Sequence, residues 1–271
     1  MKYIKYFLQF LIILILFFLF KILGYRNASK LGSKIGKKFG KIIKSDKIIL
    51  KNISILNEFS KQKIINQNNI VDDVFSNYGR ILSDYVFLSN FRNGKLKEYV
   101  DIEGINILEQ IKKGNKRVVF VSGHFNNFEL MAMFIDVAGI KLSAIYRPLN
   151  NIFLNKIMEN IRLKYICKNQ IKKGKSGTRE LLNYLNRNFS VALMIDQRVT
   201  EGIKCKLFDK PAFTTTIPAQ IVRKFKCEIV PVHIERYEDI KFKLTINDPI
   251  KFEKNDNIEK ITLKLNKILE K

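Results

Sequence analysis

The sequence predicts an α/β fold, a mixed and largely parallel sheet with flanking helices, preceded by an N-terminal membrane-anchor helix. Three patterns carry that expectation: an almost wholly apolar N-terminus, apolar side chains every three or four positions through residues 45–90, and short β-branched runs alternating with helical stretches after Gly94. With 271 residues and 46% hydrophobic content, the chain has enough material to bury a substantial core, which argues against disorder.

From Tyr6 to Phe20 there is no charge and one polar side chain, Gln9. The run lies between a signal-peptide core and a full span of about 20 residues. Ile22-Leu23-Gly24-Tyr25 keeps bulky residues where a signal peptidase needs small ones, so residues 1–24 read as an uncleaved anchor. A buried core helix is the alternative, and it fits poorly with a run apolar all round at the chain's extreme end. Beyond the anchor come Arg26, Lys30, Lys34, Lys37, Lys38, Lys41 and Lys44, against only Lys2 and Lys5 before it. The positive-inside bias then places the body of the protein in the cytoplasm, and each flanking lysine adds about 1 kcal/mol of attraction to an anionic leaflet. Gly32, Gly36 and Gly40 fall one helical turn apart in this basic stretch. That spacing permits close approach of a helix or bilayer, although so charged a segment is not a transmembrane dimer motif.

Behind the anchor, residues 25–271 read as a single cytoplasmic domain, with a basic helical part over 25–94 and an α/β core over 95–271. Ile48, Ile49, Ile53, Leu56 and Phe59, then Ile70, Val74, Ile81, Tyr85 and Leu88, mark the helices. The strands are Arg117–Val121, Leu142–Tyr146, Val191–Ile195, Ile229–Ile234 and Phe242–Ile246. The net charge of +24 calls for acidic partners, either nucleic acid or an anionic membrane with phosphorylated lipids. No nucleic-acid motif is present, and aromatics are not interleaved with basic residues as a stacking surface. Cys167, Cys205 and Cys227 lie far apart, so neither a disulfide framework nor a cysteine zinc site is encoded. No metal site is expected.

Chemistry concentrates in Arg117–Leu130, where a β-branched strand runs through Ser122-Gly123 into His124-Phe125-Asn126-Asn127-Phe128-Glu129 and then a helix. His124 therefore sits at the carboxyl end of a parallel strand, where open α/β sheets place ligands. Glu129 follows five residues later, within reach of turning back toward the imidazole. Imidazoles ordinarily titrate near pH 6.5, so a histidine held by a carboxylate suits a general base taking a proton from an alcohol. An Asn-Asn-x-Glu helix cap beside an incidental histidine is the competing reading of the same residues. His233, flanked by apolar residues in a strand, reads as structural. There is no G-x-S-x-G elbow, G-x-G-x-x-G or H-E-x-x-H, and Gly174-Lys175-Ser176 lacks the first glycine of a P-loop. With no nucleophile beside it, a histidine–carboxylate pair points to direct attack by a substrate hydroxyl.

Gly123-His124-Phe125-Asn126-Asn127-Phe128-Glu129 resembles the G-H-x-x-N-aromatic-E motif of the bacterial lipid A biosynthesis lauroyl/myristoyl acyltransferases. The resemblance continues, in order, at Tyr146–Asn151 (Y-R-P-x-x-N), Gly177–Glu180 (G-x-R), Ile195–Arg198 (D-Q) and Phe208–Ala219 (F-G-x-P-A-x-T-x-x-x-P-A). Two departures are visible: Phe128 stands where the family often has Trp, and the chain lacks the aromatic and basic tail that commonly closes these enzymes.

The resemblance implies a glycerol-phosphate-acyltransferase-like core at the cytoplasmic face of the inner membrane. It implies transfer of a fatty acyl chain from acyl carrier protein to a hydroxyl of a lipid A precursor, with no bound cofactor. His124 would be the general base and Glu129 its partner, with Asn127, Arg147, Arg179, Asp196, Gln197 and Arg198 toward substrate. For Arg147 a structural ion pair is an equal alternative, and a buried Asp196 bonded to backbone amides would look the same in sequence. The expected partners are acyl carrier protein, a phosphorylated glycolipid and anionic membrane lipids, without nucleic acid. Acylation of another glycolipid or phospholipid, or a non-enzymatic basic membrane-tethered binding protein, are the competing functions.

Overall fold

The computed structural model describes residues 2–62 and 64–270, which form two compact units. One unit holds the start of the first helix through Phe10, Leu88–Cys205 and the chain from Ala212 onward; the other holds Leu11–Phe87 and the short segment Lys206–Pro211.

Helix α1 runs from Lys2 to Ile43, with Gly24 at φ 72° and ψ 164° interrupting its helical conformation. Only a residue without a Cβ takes that conformation without strain. In the second unit, α1 is joined by α2 (Lys47–Ser60) and α3 (Gln67–Asp84). The expected glycine spacing serves a helix crossing: a Cβ on Gly32 or Gly36 would collide with the backbone of α3 at Gly79 or Phe75. The backbones meet directly, and Ser33 and Ser76 Oγ atoms lie 2.7 Å apart across the crossing. Arg80 donates to Ser29 Oγ at 2.9 Å. Close approach of helices was the part of the sequence expectation that the chain uses here.

The first unit is built on a mixed sheet. Helix α4 (Leu88–Arg92) leads to β1 (Val100–Glu103), α5 (Ile105–Lys113), β2 (Val118–Ser122), α6 (Glu129–Val137), β3 (Leu142–Tyr146) and α7 (Ile152–Ile161). A π-turn over Arg162–Ile166 leads to β4 (Asn169–Lys172), α8 (Lys175–Asn186), β5 (Ser190–Met194), the β6–β7 hairpin (Ile203–Leu207 and Lys210–Thr214), α9 (Ile217–Phe225), β8 (Glu228–Tyr237), β9 (Lys241–Ile246) and α10 (Ile258–Leu269). The seven-stranded order is β1-β9-β8-β2-β5-β3-β4, parallel throughout except for the antiparallel β8–β9 pair. Strand β2 is buried at every position, as a central parallel strand covered on both faces must be. Val119, Val191, Leu193 and Ile229 on the sheet pack with Leu181 and Leu185 of α8, Ile221 of α9, and Ile261 and Leu265 of α10.

All five expected strands are present to within a residue or extend beyond the expected limits. Strands β1, β4 and the hairpin were not anticipated. Each is at the edge of its sheet or outside it, with alternating or mixed burial rather than a continuous apolar run.

Candidate active site

Strand register assembles the site. Strands β2 and β5 are parallel neighbours with Ser122 opposite Met194, and the Ile195 amide donates to Ser122 O at 2.9 Å. Two residues further along both strands, His124 comes to lie beside Asp196. One Asp196 carboxylate oxygen sits 2.7 Å from His124 Nδ1, and the other accepts from the His124 backbone N–H at 3.0 Å. A carboxylate on Nδ1 favours the tautomer that carries its proton there and leaves a lone pair on Nε2. Gln197 Nε2 is 3.4 Å from that atom, placed to donate to it. The Phe128 ring meets the imidazole edge-to-face with centroids 4.7 Å apart, and Asn126 holds φ 39° in the turn, a conformation asparagine tolerates better than most residues.

Burial pushes the Asp196 carboxyl up, but the hydrogen bonds from the His124 ring and amide outweigh it and leave the group below the ordinary carboxylate range. Asp196 is thus ionised at neutral pH. The His124 and Asp196 side chains are 32% and 33% exposed, enough for a substrate hydroxyl to reach the ring.

Glu129 sits elsewhere than expected. Its buried carboxylate accepts from Arg162 Nε at 2.8 Å and Nη2 at 2.6 Å, and the carboxylate on the His124 ring is that of Asp196. The correction has a physical cause. Glu129 opens α6 on the face packed against the π-turn, whereas the strand end presents His124 toward β5. The Arg162 guanidinium also lies over the Tyr146 ring at 5.7 Å, and Tyr146 donates its hydroxyl to Glu159 Oε1 at 2.7 Å. Burial first and that hydrogen bond second push the Tyr146 phenol up to about 12, so it is a fixed donor.

Of the remaining candidates, Asp196 and Gln197 converge on His124. Asn127 is buried in the turn that opens α6. Arg147 is exposed one residue past β3, and Arg179 is exposed on α8. Arg198 is exposed and stacks over the Phe213 ring at 5.4 Å. Arg162 escaped the sequence reading, because it lies 33 residues from Glu129 in a π-turn with no recognisable local signal. His233 packs its ring against Phe125 at 4.6 Å. Among the described residues no cluster of three or more histidine, cysteine or acidic side chains is placed to hold a metal ion. A cavity of about 790 Å³ opens at the other end of the same strands, lined by Lys116, Arg117, Cys227, Glu228 and Lys251 among others, and contains none of the residues around His124.

The sheet is mixed and mostly parallel, and the apolar part of α1 is long enough by length and composition to cross a membrane. The chain is 22% identical over 134 residues to the lipid A biosynthesis myristoyltransferase of Escherichia coli (strain K12), an alignment covering 49% of this chain and 41% of that protein. The profile of the bacterial lipid A biosynthesis acyltransferases matches residues 1–271. The chain belongs to the bacterial lipid A biosynthesis acyltransferase family.

Proposed function

We propose that this chain is an O-acyltransferase of lipid A assembly, moving a fatty acyl group from an acyl carrier protein thioester onto a hydroxyl of a phosphorylated glycolipid precursor. The observation that carries the reading is the two-point hold of Asp196 on His124 at the carboxyl edge of the sheet. Membership of the family supports acyl transfer as the reaction class and a lipid A precursor as the acceptor.

The acceptor hydroxyl displaces Gln197 at Nε2 and gives up its proton as its oxygen attacks the thioester carbonyl. Asp196 stabilises the imidazolium that forms. The carbonyl oxygen becomes an oxyanion, which the first amides of α6 or the exposed Arg147 would stabilise. Collapse of the tetrahedral intermediate expels the thiolate, which takes the proton from the imidazolium and restores the neutral base. No covalent enzyme intermediate is needed, in keeping with Asp196, Gln197 and Phe128 as the neighbours of the His124 ring. In this scheme Glu129 and Arg162 hold the start of α6 against the π-turn, and they touch no reacting atom.

The body of the protein faces the cytoplasm, where acyl carrier protein is found, with α1 holding it to the inner membrane. Residues 1–24 form the anchor and residues 25–271 the catalytic domain. The lysine-rich segment after Gly24 fits a leaflet of anionic lipid. The test is to supply the full chain in phospholipid nanodiscs with acyl carrier protein thioester and an acylated, phosphorylated glucosamine disaccharide, and to read products by mass spectrometry. The parent should add one acyl chain and release free carrier protein, and His124→Ala should do neither while staying in the nanodisc. Equal product from His124→Ala removes the base assignment, and no product from the parent removes the reaction.

A further inference from the structure

The cavity of about 790 Å³ at the amino edge of the sheet lies wholly within the unit that carries His124. It is bounded by the start of β2, the end of α9, the start of β8, the segment after β9 and one flank of α10. Arg117, at the head of β2, precedes His124 by seven residues, about 23 Å of extended chain. An occupant of the cavity touches no reacting atom.

Its floor is apolar. Val222, Cys227 and Ile261 belong to the buried core, and Phe225 and Phe252 pack against that core from the cavity walls. Burial pushes the Cys227 thiol up, so it stays neutral and adds no charge to the floor. The rim is cationic, with Lys116, Arg117, Arg223, Lys226, Lys251 and Lys254 against Glu228 and Glu253. Two of these cations are committed to protein. Arg117 donates to Leu185 O and Phe225 O and stacks over the Phe225 ring at 4.6 Å, and Lys251 lies 3.6 Å from Glu228. Among the described residues, Lys116, Arg223, Lys226 and Lys254 have no carboxylate within ion-pair distance. Arg223 sits in the last turn of α9, where a cation offsets the helix dipole. That accounts for Arg223 and not for Lys116 or Lys254, which reach the same cavity from remote parts of the chain. Like charges gathered from three segments repel one another, and an anion held among them relieves the repulsion.

From this lining we infer a second binding site, for a soluble nucleoside polyphosphate, with the phosphates among Lys116, Arg223, Lys226 and Lys254 and the base on the apolar floor beside Phe225 and Phe252. Small-molecule sites are concave, about 300–1,000 Å³ in volume, and largely apolar with a few convergent polar groups. This cavity has that size and that division of its lining. Several phosphates match four uncommitted cations better than a single carboxylate does. A flat aromatic base covers the phenyl walls and the apolar floor, which inorganic polyphosphate would leave bare. Glu228 and Glu253 at the rim are acceptors for the amino and hydroxyl groups of base and sugar.

The test needs no catalytic readout. The full chain in nanodiscs of neutral phosphatidylcholine is titrated against N-methylanthraniloyl-ATP, in EDTA so that no metal shields the phosphates. Anisotropy should saturate at one probe per chain at an ionic strength of about 0.15 M. Unlabelled ATP should displace the probe, and tripolyphosphate should need a concentration at least about tenfold higher. Lys116→Glu/Lys254→Glu should weaken binding about tenfold or more, whereas Lys95→Glu/Lys97→Glu, the same charge change at exposed positions before β1, should leave it within about twofold. Lys116→Arg/Lys254→Arg should retain binding, with circular dichroism unchanged in all three variants. Absence of saturable binding overturns the inference. So does equal weakening by the two charge reversals, which makes the effect one of the whole basic surface. Tripolyphosphate as effective as ATP overturns it by leaving the apolar floor without a role, and displacement by single-stranded DNA but not by ATP overturns it in favour of nucleic acid.

Discussion

Replacing Asp196 with Asn separates the electrostatic role of this carboxylate from its shape. The native carboxylate spends one oxygen on His124 Nδ1 at 2.7 Å and the other on the His124 backbone amide at 3.0 Å. Asparagine can keep one of these by turning its carbonyl to the backbone N–H. Its NH2 then faces Nδ1 and favours the tautomer protonated on Nε2, the atom that has to accept the substrate proton. General-base catalysis contributes about 10²–10⁴-fold, equivalent to about 3–5 kcal/mol of transition-state stabilisation. With the pair about one-third exposed, solvent offers the imidazolium some stabilisation of its own, so the lower half of that range applies, about 10²–10³-fold. The assay is acyl transfer in nanodiscs under saturating donor and acceptor. The expected pattern is a kcat lower by that factor, KM within about twofold and an unchanged circular dichroism spectrum. A variant within about threefold of the parent, or a loss confined to KM, would refute the reasoning.

Four further expectations follow from the same geometry. Glu129→Ala leaves the Arg162 guanidinium buried without its carboxylate and should lower stability by about 3–5 kcal/mol in urea titration, whereas an Arg162→Met/Glu129→Leu pair should recover most of that loss. Gly79→Ala drives a methyl into the Gly32 carbonyl and should destabilise by about 1–3 kcal/mol, seen as a lower Tm. The stabilisation from Asp196 is fully present above the ordinary carboxylate range, because its carboxyl is held below that range in the folded state, and it is lost as pH falls through the lowered value. The stability gap between parent and Asp196→Asn should therefore be constant near neutrality and close in acid. All three cysteines are buried, and burial pushes the Cys167 thiol up to about 12, so Ellman's reagent should titrate none of them until denaturant is added.

The sequence made the central strands legible because β2, β3, β5 and the middle of β8 are continuous β-branched or apolar runs bounded by polar turns. Edge strands β1 and β4 carry no such run and are stabilised by partners distant in sequence. His124 was legible for the same reason as β2: it ends a strand at a break into polar residues. The identity of its carboxylate was not, since two acids were candidates and only the pairing of strands some 70 residues apart chooses between them. Proximity in sequence favoured Glu129, whereas proximity in space favours Asp196. Arg162 belongs to a π-turn whose position depends on the packing of α6 and α7. The glycines of α1 announced a close contact but not its partner, which is Gly79 on a separate helix.

The β2–β5 register has a last consequence. Neither strand alone makes a site, because the imidazole comes from one and its carboxylate from the other. A one-residue slip would shift Asp196 by about 3.3 Å and turn it to the opposite face of the sheet. Turnover is thus a gauge of assembly: a chain that has reached the bilayer with its helices formed stays silent until its two central strands zip in the correct frame.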